Sequence, residues 1–220
     1  MSIVSYFSSL NPLQLLKSLP GGVAQGLVWG IMAVGVYITF RILDVADLTV
    51  DGSFATGGVV AVMLILGGVP AYAALLAAFA AGLIAGLITS LLTTLLDIPA
   101  ILSGILTQLA LYSINLHIMG MKANVAISVD NYDLILSSRH INSSILVGLA
   151  FAAVVIVFLY WFFGTELGSA VRSTGANPAM SKAQGINTKI ITILGLSLSI
   201  GFVELSGALS ASSPPRPPAC

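Results

Sequence analysis

Hydrophobic residues fall into six long runs that are separated by short polar segments. A helix that crosses the hydrocarbon core of a bilayer needs about 20 mainly apolar residues, and each run approaches that length. The second run is short and rich in glycine. The pattern predicts an all-α, polytopic transmembrane bundle over residues 1–209. The six predicted spans are Gly22–Phe40, Ser53–Val69, Ala71 to about Leu92, Ile98 to about Ile118, Ile145–Phe163 and Ile190–Leu209.

Composition supports the same class of protein. The chain has 220 residues, of which 57% are hydrophobic and only 7% are charged, whereas soluble domains carry about 25% charged residues. A net charge of zero gives no reason to expect nucleic acid binding. One cysteine and two isolated histidines predict neither a disulfide framework nor a metal site, and we expect no cofactor. Phosphate-binding, zinc-protease and serine-nucleophile motifs are all missing from the sequence, so we do not expect an enzyme and assign no catalytic residue.

The most informative polar segment is GTELGSAVRSTGANPAMSKAQGINT, residues 164–188. Within it, Asn177 is a favourable N-cap, and Pro178 suits the first helical position because its missing N–H costs nothing there. Gly185 is a natural C-terminal stop. These signals predict a helix of roughly seven residues, about 10 Å long. It is either one helical turn in an ordinary loop or a short helix that docks on a partner.

Basic residues predict the orientation of the bundle. The segment from Gly164 to Lys189 holds three of the eight lysines and arginines, and such loops stay on the cytoplasmic side. Alternation then places the Gly120–Asn142 loop and the N-terminus outside and the Arg41–Asp51 segment inside.

The second predicted span opens with acids and hydroxyls. Asp47, Thr49, Asp51 and Ser53 precede its glycine-rich run. We expect Asp51 or Ser53 to cap this helix, with the acids complementing its positive N-terminal end. Short or glycine-interrupted spans often border transport pathways, and the alternative is an acidic cap at the membrane surface.

The fourth predicted span carries polar residues at helical spacing. Gln108, Tyr112 and Asn115 share one stripe, and such a stripe should face the bundle interior or a cavity. Hydrogen bonding between helices is the alternative interpretation. Glycine pairs at four-residue spacing, Gly26 with Gly30 and Gly82 with Gly86, favour close helix packing.

Two of these motifs resemble a known family. The run ELGSAVRSTGANPAMSKAQGINTK resembles the cytoplasmic coupling segment of bacterial ABC importer permeases. The most similar permeases belong to the branched-chain amino acid and simple-sugar superfamily, and within that superfamily to the group paired with tryptophan/tyrosine-type binding proteins. The run DLTVDGSF, residues 47–54, is similar to the segment that opens a pore-lining helix in that superfamily. The resemblance covers roughly residues 22–209.

The resemblance implies a permease subunit that moves a small, amino-acid-like solute and couples to a separate ATPase. It implies four partners: an ABC ATPase subunit, an extracytoplasmic solute-binding protein, a second permease subunit in a homodimer, and the lipid bilayer of the bacterial plasma (inner) membrane. The residues that would contact the ATPase are Gly175, Ala176, Asn177, Pro178, Met180, Ala183, Gln184 and Gly185. The residues that would lie near the translocation path are Asp47, Thr49, Asp51, Ser53, Gln108, Tyr112 and Asn115.

The C-terminal region departs from the family pattern. Such permeases continue for several more spans, whereas residues 210–220, SASSPPRPPAC, form a proline-rich tail of non-native appearance. We therefore expect a truncated permease domain. Glu204 is an acid inside the sixth predicted span, where the family has small or apolar residues, and we assign it no role in proton transfer. Two alternatives stay open, an ion-coupled secondary transporter that uses Asp51 or Glu204, and an inactive fragment.

Overall fold

The computed structural model describes residues 12–122 and 141–211, and these residues form helices without any strand. The first helix continues without a break into a π-helical turn at Ile38–Ile42. The eight helices are α1 Pro12–Tyr37, α2 Val50–Leu66, α3 Ala71–Leu95, α4 Ala100–Ile118, α5 Ile141–Gly164, α6 Glu166–Ala176, α7 Pro178–Ala183 and α8 Thr188–Ala211. The prediction of an all-α bundle is confirmed.

Five of these helices are long and apolar enough to cross a membrane. The helix α2 is shorter, with 17 residues or about 25 Å at 1.5 Å per residue. The protein is therefore a multi-pass membrane protein, and its described residues include these five helices and a sixth, shorter apolar helix. Most of the Gly120–Asn142 loop, and the proline-rich tail after Ala211, lie outside the described residues.

The helix α8 forms the centre of the bundle and packs against α1, α2 and α3. Small residues allow this contact. A Cβ on Gly82 of α3 would lie 2.8 Å from the Cα of Gly201, and one on Gly86 would lie 2.6 Å from the Cα of Ser197. Both distances are too short for any side chain, so the two backbones touch directly, as expected where lipid supplies no hydrophobic driving force.

The other glycine pair behaves differently. A Cβ on Gly26 or on Gly30 would have no described atom within 4 Å. This pair therefore mediates no helix packing within the described part of the chain, although its spacing matches that of Gly82 and Gly86.

Contacts along α1 and α8 show how the chain is threaded. Gly35 packs against Ser199, whose hydroxyl donates to the Gly35 carbonyl oxygen at 2.5 Å. Beyond α1 and the π-helical turn, Leu43 packs on Gly195, so the chain direction of α1 is antiparallel to that of α8. Gly175 contacts the end of the π-helical turn, which places residues 43–49 and the α6–α7 segment at the same end of the bundle. This agrees with the predicted alternation; which end is cytoplasmic stays a prediction.

Candidate translocation path and coupling helix

The segment between α1 and α2 folds around one buried carboxylate. Asp47 is 3% exposed, and its oxygens accept from the Thr49 hydroxyl at 2.7 and 2.8 Å. The Thr49 backbone N–H also donates to Asp47 Oδ1, at 2.9 Å. Burial raises the pKa of the Asp47 carboxyl above its usual value, and the bonds from Thr49 act in the opposite direction. This local turn fixes the approach to α2.

The predicted cap of α2 is wrong. The helix begins at Val50, three residues before the predicted Ser53, and its N-cap residue is Thr49. The Thr49 hydroxyl makes no cap bond and donates to Asp47. Asp51 lies exposed in the first turn, where a negative charge complements the helix dipole. Ser53 lies inside the helix, where its N–H donates to the Thr49 carbonyl oxygen at 2.8 Å.

The helices α2 and α4 meet through a mixture of small and polar residues. A Cβ on Gly52 would lie 3.0 Å from the Cγ of Gln108, so Gln108 packs directly on the α2 backbone. Asn115 donates from Nδ2 to the Thr56 hydroxyl at 2.9 Å. We name the contact made by Gly52, Thr56, Gln108 and Asn115 the α2–α4 seam.

Two buried polar atoms of these helices are unpaired. Asn115 Oδ1 and Ser53 Oγ have no hydrogen-bond partner among the described residues. Buried polar groups are nearly always paired, so these two atoms are available to a polar ligand or to water. Tyr112, by contrast, is 67% exposed. The structure thus brings Gln108 and Asn115 to α2 and leaves Tyr112 on the outside.

Hydroxyl residues also join α4 to α3, a contact that the sequence did not predict. The Thr93 and Ser103 hydroxyls lie 2.7 Å apart, and Thr89 donates to Thr107 at 3.0 Å. All four residues lie on two neighbouring helices at spacings of one turn. The only signal in the sequence is this repeated hydroxyl spacing, which would not identify the partner helix.

The short helix α7 forms as its end signals predict. Asn177 Oδ1 accepts from the Met180 backbone N–H at 3.1 Å, and Pro178 occupies the first helical position. Gly185 follows the helix with a φ of +83°, a left-handed conformation that strongly favours glycine. The predicted helix and both of its end residues are confirmed.

One side of α7 is open to solvent. Of the predicted ATPase-contact residues, Ala176, Asn177, Pro178, Met180, Ala183, Gln184 and Gly185 are all exposed. Ser181 is 2% exposed and faces the protein. Gly175 is partly buried against the π-helical turn instead. The helix therefore presents a defined outer face for a partner, from which Gly175 is excluded.

The helix α6 was missed by sequence reasoning. Its N-cap is Thr165, whose hydroxyl accepts from the Gly168 N–H at 3.4 Å, and Glu166 lies in the first turn. Arg172 Nη2 donates to the Phe163 carbonyl oxygen at 2.7 Å, and the guanidinium lies 5.4 Å from the centre of the Phe163 ring. Arg172 thereby fastens α6 to the end of α5.

Comparisons with known proteins agree with this architecture. The family model described as "Branched-chain amino acid transport system / permease component" matches residues 18–218. The tyrosine transport system permease protein of Clostridioides difficile (strain R20291) is 39% identical over 191 residues, which cover 85% of this chain and 62% of that protein. An uncharacterized protein of Rickettsia prowazekii (strain Madrid E) is 34% identical over 187 residues, which cover 85% of this chain and 65% of that protein.

The chain therefore spans slightly less than two thirds of the length of either relative. No solved structure matches it significantly. The family match covers nearly the whole bundle, including α7 and the α2–α4 seam. The chain belongs to the branched-chain amino acid transport system permease family, whose members are transport components that span the membrane.

Proposed function

We propose that this chain is the membrane-spanning permease subunit of an ATP-binding-cassette importer in the bacterial plasma membrane. In this proposal a separate ATPase docks on α7, a second permease copy completes the path, and an extracytoplasmic binding protein delivers the solute. The observation that carries the proposal is the outer face of α7. A six-residue helix is marginal by itself, yet here it is capped at its start, ended by Gly185 and left exposed.

The transported solute is proposed to be amino-acid-like, with tyrosine as the first candidate. The support is the printed function of the relative from Clostridioides difficile, which is a tyrosine transport system permease. The path is proposed to run near Asp47 and along the α2–α4 seam, close to Ser53 Oγ and Asn115 Oδ1, which have no partner in the described part of the chain. Asp51 and Tyr112 are exposed and would meet the solute only outside this seam.

The docking claim is tested by adding charge to α7. Ala183→Glu places bulk and charge on its exposed face without touching a spanning helix, so membrane insertion should be normal. Co-purification of the ATPase with the full-length permease should fall at least tenfold, and uptake of labelled tyrosine should fall with it. The matched control is Ser169→Glu, which adds the same charge to an exposed position of α6 in the same loop. Wild-type ATPase retention by Ala183→Glu would refute docking on α7.

The stop residue of α7 offers a second variant. Gly185→Val forces a β-branched side chain into a left-handed backbone conformation, at a cost of ~1 kcal/mol or more. The exit from α7 should distort, and ATPase retention should decrease while expression in the membrane stays unchanged. Normal retention would mean that the outer face of α7 does not depend on this stop.

One observation favours a rival function, an ion-coupled secondary transporter. Glu204 is a fully buried acid inside the C-terminal part of α8, and acids inside spanning helices are commonly functional. Such a transporter would need no ATPase, so vanadate inhibition of ATPases would leave its uptake unchanged. The importer proposed here should lose uptake under the same treatment.

A further inference from the structure

The structure links α7 to the Asp47 segment through a single continuous connection. The link runs through the last turn of α6, next to α7, where Gly175 meets the π-helical turn. A Cβ on Gly175 would overlap the Ile42 carbonyl oxygen and would lie 3.0 Å from the Leu43 Cα. Any residue larger than glycine would therefore push α6 away from residues 42 and 43.

The contact at Ile42 leads directly to the buried carboxylate. The Leu43 N–H donates to the Ile38 carbonyl oxygen at 3.0 Å, and the Val45 N–H donates to the Thr39 carbonyl oxygen at 3.1 Å. These bonds tie the start of the Asp47 segment to the π-helical turn. Such turns are frequent at functional sites. Displacement of the turn would therefore move the backbone that leads to Asp47.

The connection from α7 to α6 contains no flexible linker. Asn177 ends α6 by donating its N–H to the Ser173 carbonyl oxygen at 3.0 Å, and the same residue caps α7 through its side chain. At the other end of α6, a Cβ on Gly168 would lie 2.5 Å from the Phe163 Cα, and Arg172 bonds the Phe163 carbonyl oxygen. The helix α6 is thus held at both ends.

We propose that α6 is a rigid connector and that Gly175 is a positioning residue, through which movement of α7 displaces the Ile42–Leu43 turn and the adjoining Asp47 segment. This inference rests on the proposed function, because the movement originates in a docked ATPase. It adds a role for Gly175 that is separate from docking, since Gly175 faces the π-helical turn while the outer face of α7 faces solvent.

The test uses a reporter cysteine beside Asp47. Leu48 is 44% exposed, so Leu48→Cys in a Cys220→Ser background is accessible to a maleimide. The permease is purified with its ATPase in nanodiscs and labelled with and without ATP and vanadate. In the parent protein, which carries only Leu48→Cys and Cys220→Ser, nucleotide trapping should change the labelling rate at least threefold. In Gly175→Ala, the ATPase should be retained within twofold of the parent. The labelling rate at Leu48→Cys should no longer change on nucleotide trapping.

Two further variants complete the experiment. Gly164→Ala is the matched control, because a Cβ there has nothing within 4 Å, and it should respond as the parent does. Arg172→Gln frees α6 from the end of α5 at an exposed position and should at least halve the response. Arg172→Lys should restore most of it, because lysine keeps a donor for the Phe163 carbonyl oxygen.

The outcomes separate the two proposals. A parent that binds no ATPase would refute the proposed function and this inference with it. A parent that responds while Gly175→Ala responds equally would refute only the connector. The connector would also be refuted by a third pattern. In that pattern Gly175→Ala loses both ATPase binding and the labelling response, while Arg172→Gln responds as the parent does. Gly175 would then serve folding or docking.

Discussion

Glu204 provides the sharpest test of how α8 is built. Its side chain is fully buried, and neither carboxyl oxygen has a hydrogen-bond partner among the described residues. A Cβ on Gly57 of α2 would overlap the Glu204 backbone, and one on Gly82 of α3 would lie 3.0 Å from the Glu204 Cβ. The acid thus lies where three helices meet at backbone distance.

Replacing this acid with an apolar residue of similar length should stabilise the bundle. A buried polar group without a partner costs about 1–3 kcal/mol, and Glu204→Met removes that cost while filling most of the same volume. We take about 2 kcal/mol as the expected gain. For a chain of this size, 1 kcal/mol corresponds to about 2–4 °C in the melting temperature, so the expected rise is about 4–8 °C.

The assay is thermal unfolding in detergent, followed by size-exclusion chromatography of the surviving fraction. Glu204→Gln is the matched control, because it keeps the length and the polar atoms and should melt within about 3 °C of the parent. If Glu204→Met melted lower than both, the carboxyl would be satisfied in the assembled protein and our reasoning would be refuted. Uptake decides the rival function, because an ion-coupled transporter that uses Glu204 would lose uptake in both variants, whereas the proposed importer keeps it.

Three further predictions concern orientation, the seam and the cap. Gln184→Cys should react with an impermeant thiol reagent only from the cytoplasmic side and Met121→Cys only from outside; the opposite pattern would invert the topology. Asn115→Ala removes the bond to Thr56, costs about 1 kcal/mol and should reduce uptake more than membrane expression; unchanged uptake would leave Asn115 a structural role only. Asn177→Ala removes the cap of α7, costs about 1 kcal/mol and should weaken ATPase pull-down; equal retention would show that docking itself orders the helix.

Sequence reasoning predicted the features that depend on local chemistry. The length of each apolar run predicted the spans, because bilayer thickness sets how many residues a helix needs. The helix α7 was predicted from Asn177, Pro178 and Gly185, since caps and stops act within a few residues. The family followed from the residues of that same segment, and the family match over residues 18–218 confirms it.

Features that depend on tertiary contact were missed. The helix α6 has the sequence ELGSAVRSTGA, in which glycine, serine and threonine are poor helix formers; it is held through Gly168 and Gly175 by parts of the chain that a local pattern does not reveal. The cap of α2 was assigned to Asp51 or Ser53 because both types favour that position. The helix instead begins after Thr49, whose hydroxyl donates a hydrogen bond to Asp47 outside the helix. This second miss is local, because the bond joins residues only two positions apart and belongs to the side-chain bonds that compete with regular helix ends, which the cap prediction did not consider.

The contrast between two interfaces gives the proposed path its physical basis. Where α8 meets α2 and α3, glycines such as Gly57 and Gly82 bring backbones together, and any separation would lose close packing over several turns. The α2–α4 seam is held by a side-chain bond from Asn115 Nδ2 to the Thr56 hydroxyl, and the Asn115 acceptor Oδ1 has no partner among the described residues. A hydrogen bond between side chains is worth only about 0.6–2 kcal/mol in membranes and can be exchanged for one to a solute. The seam therefore costs less to open than the contacts of α8 with α2 and α3, which supports a path beside α4 rather than through the contacts of α8.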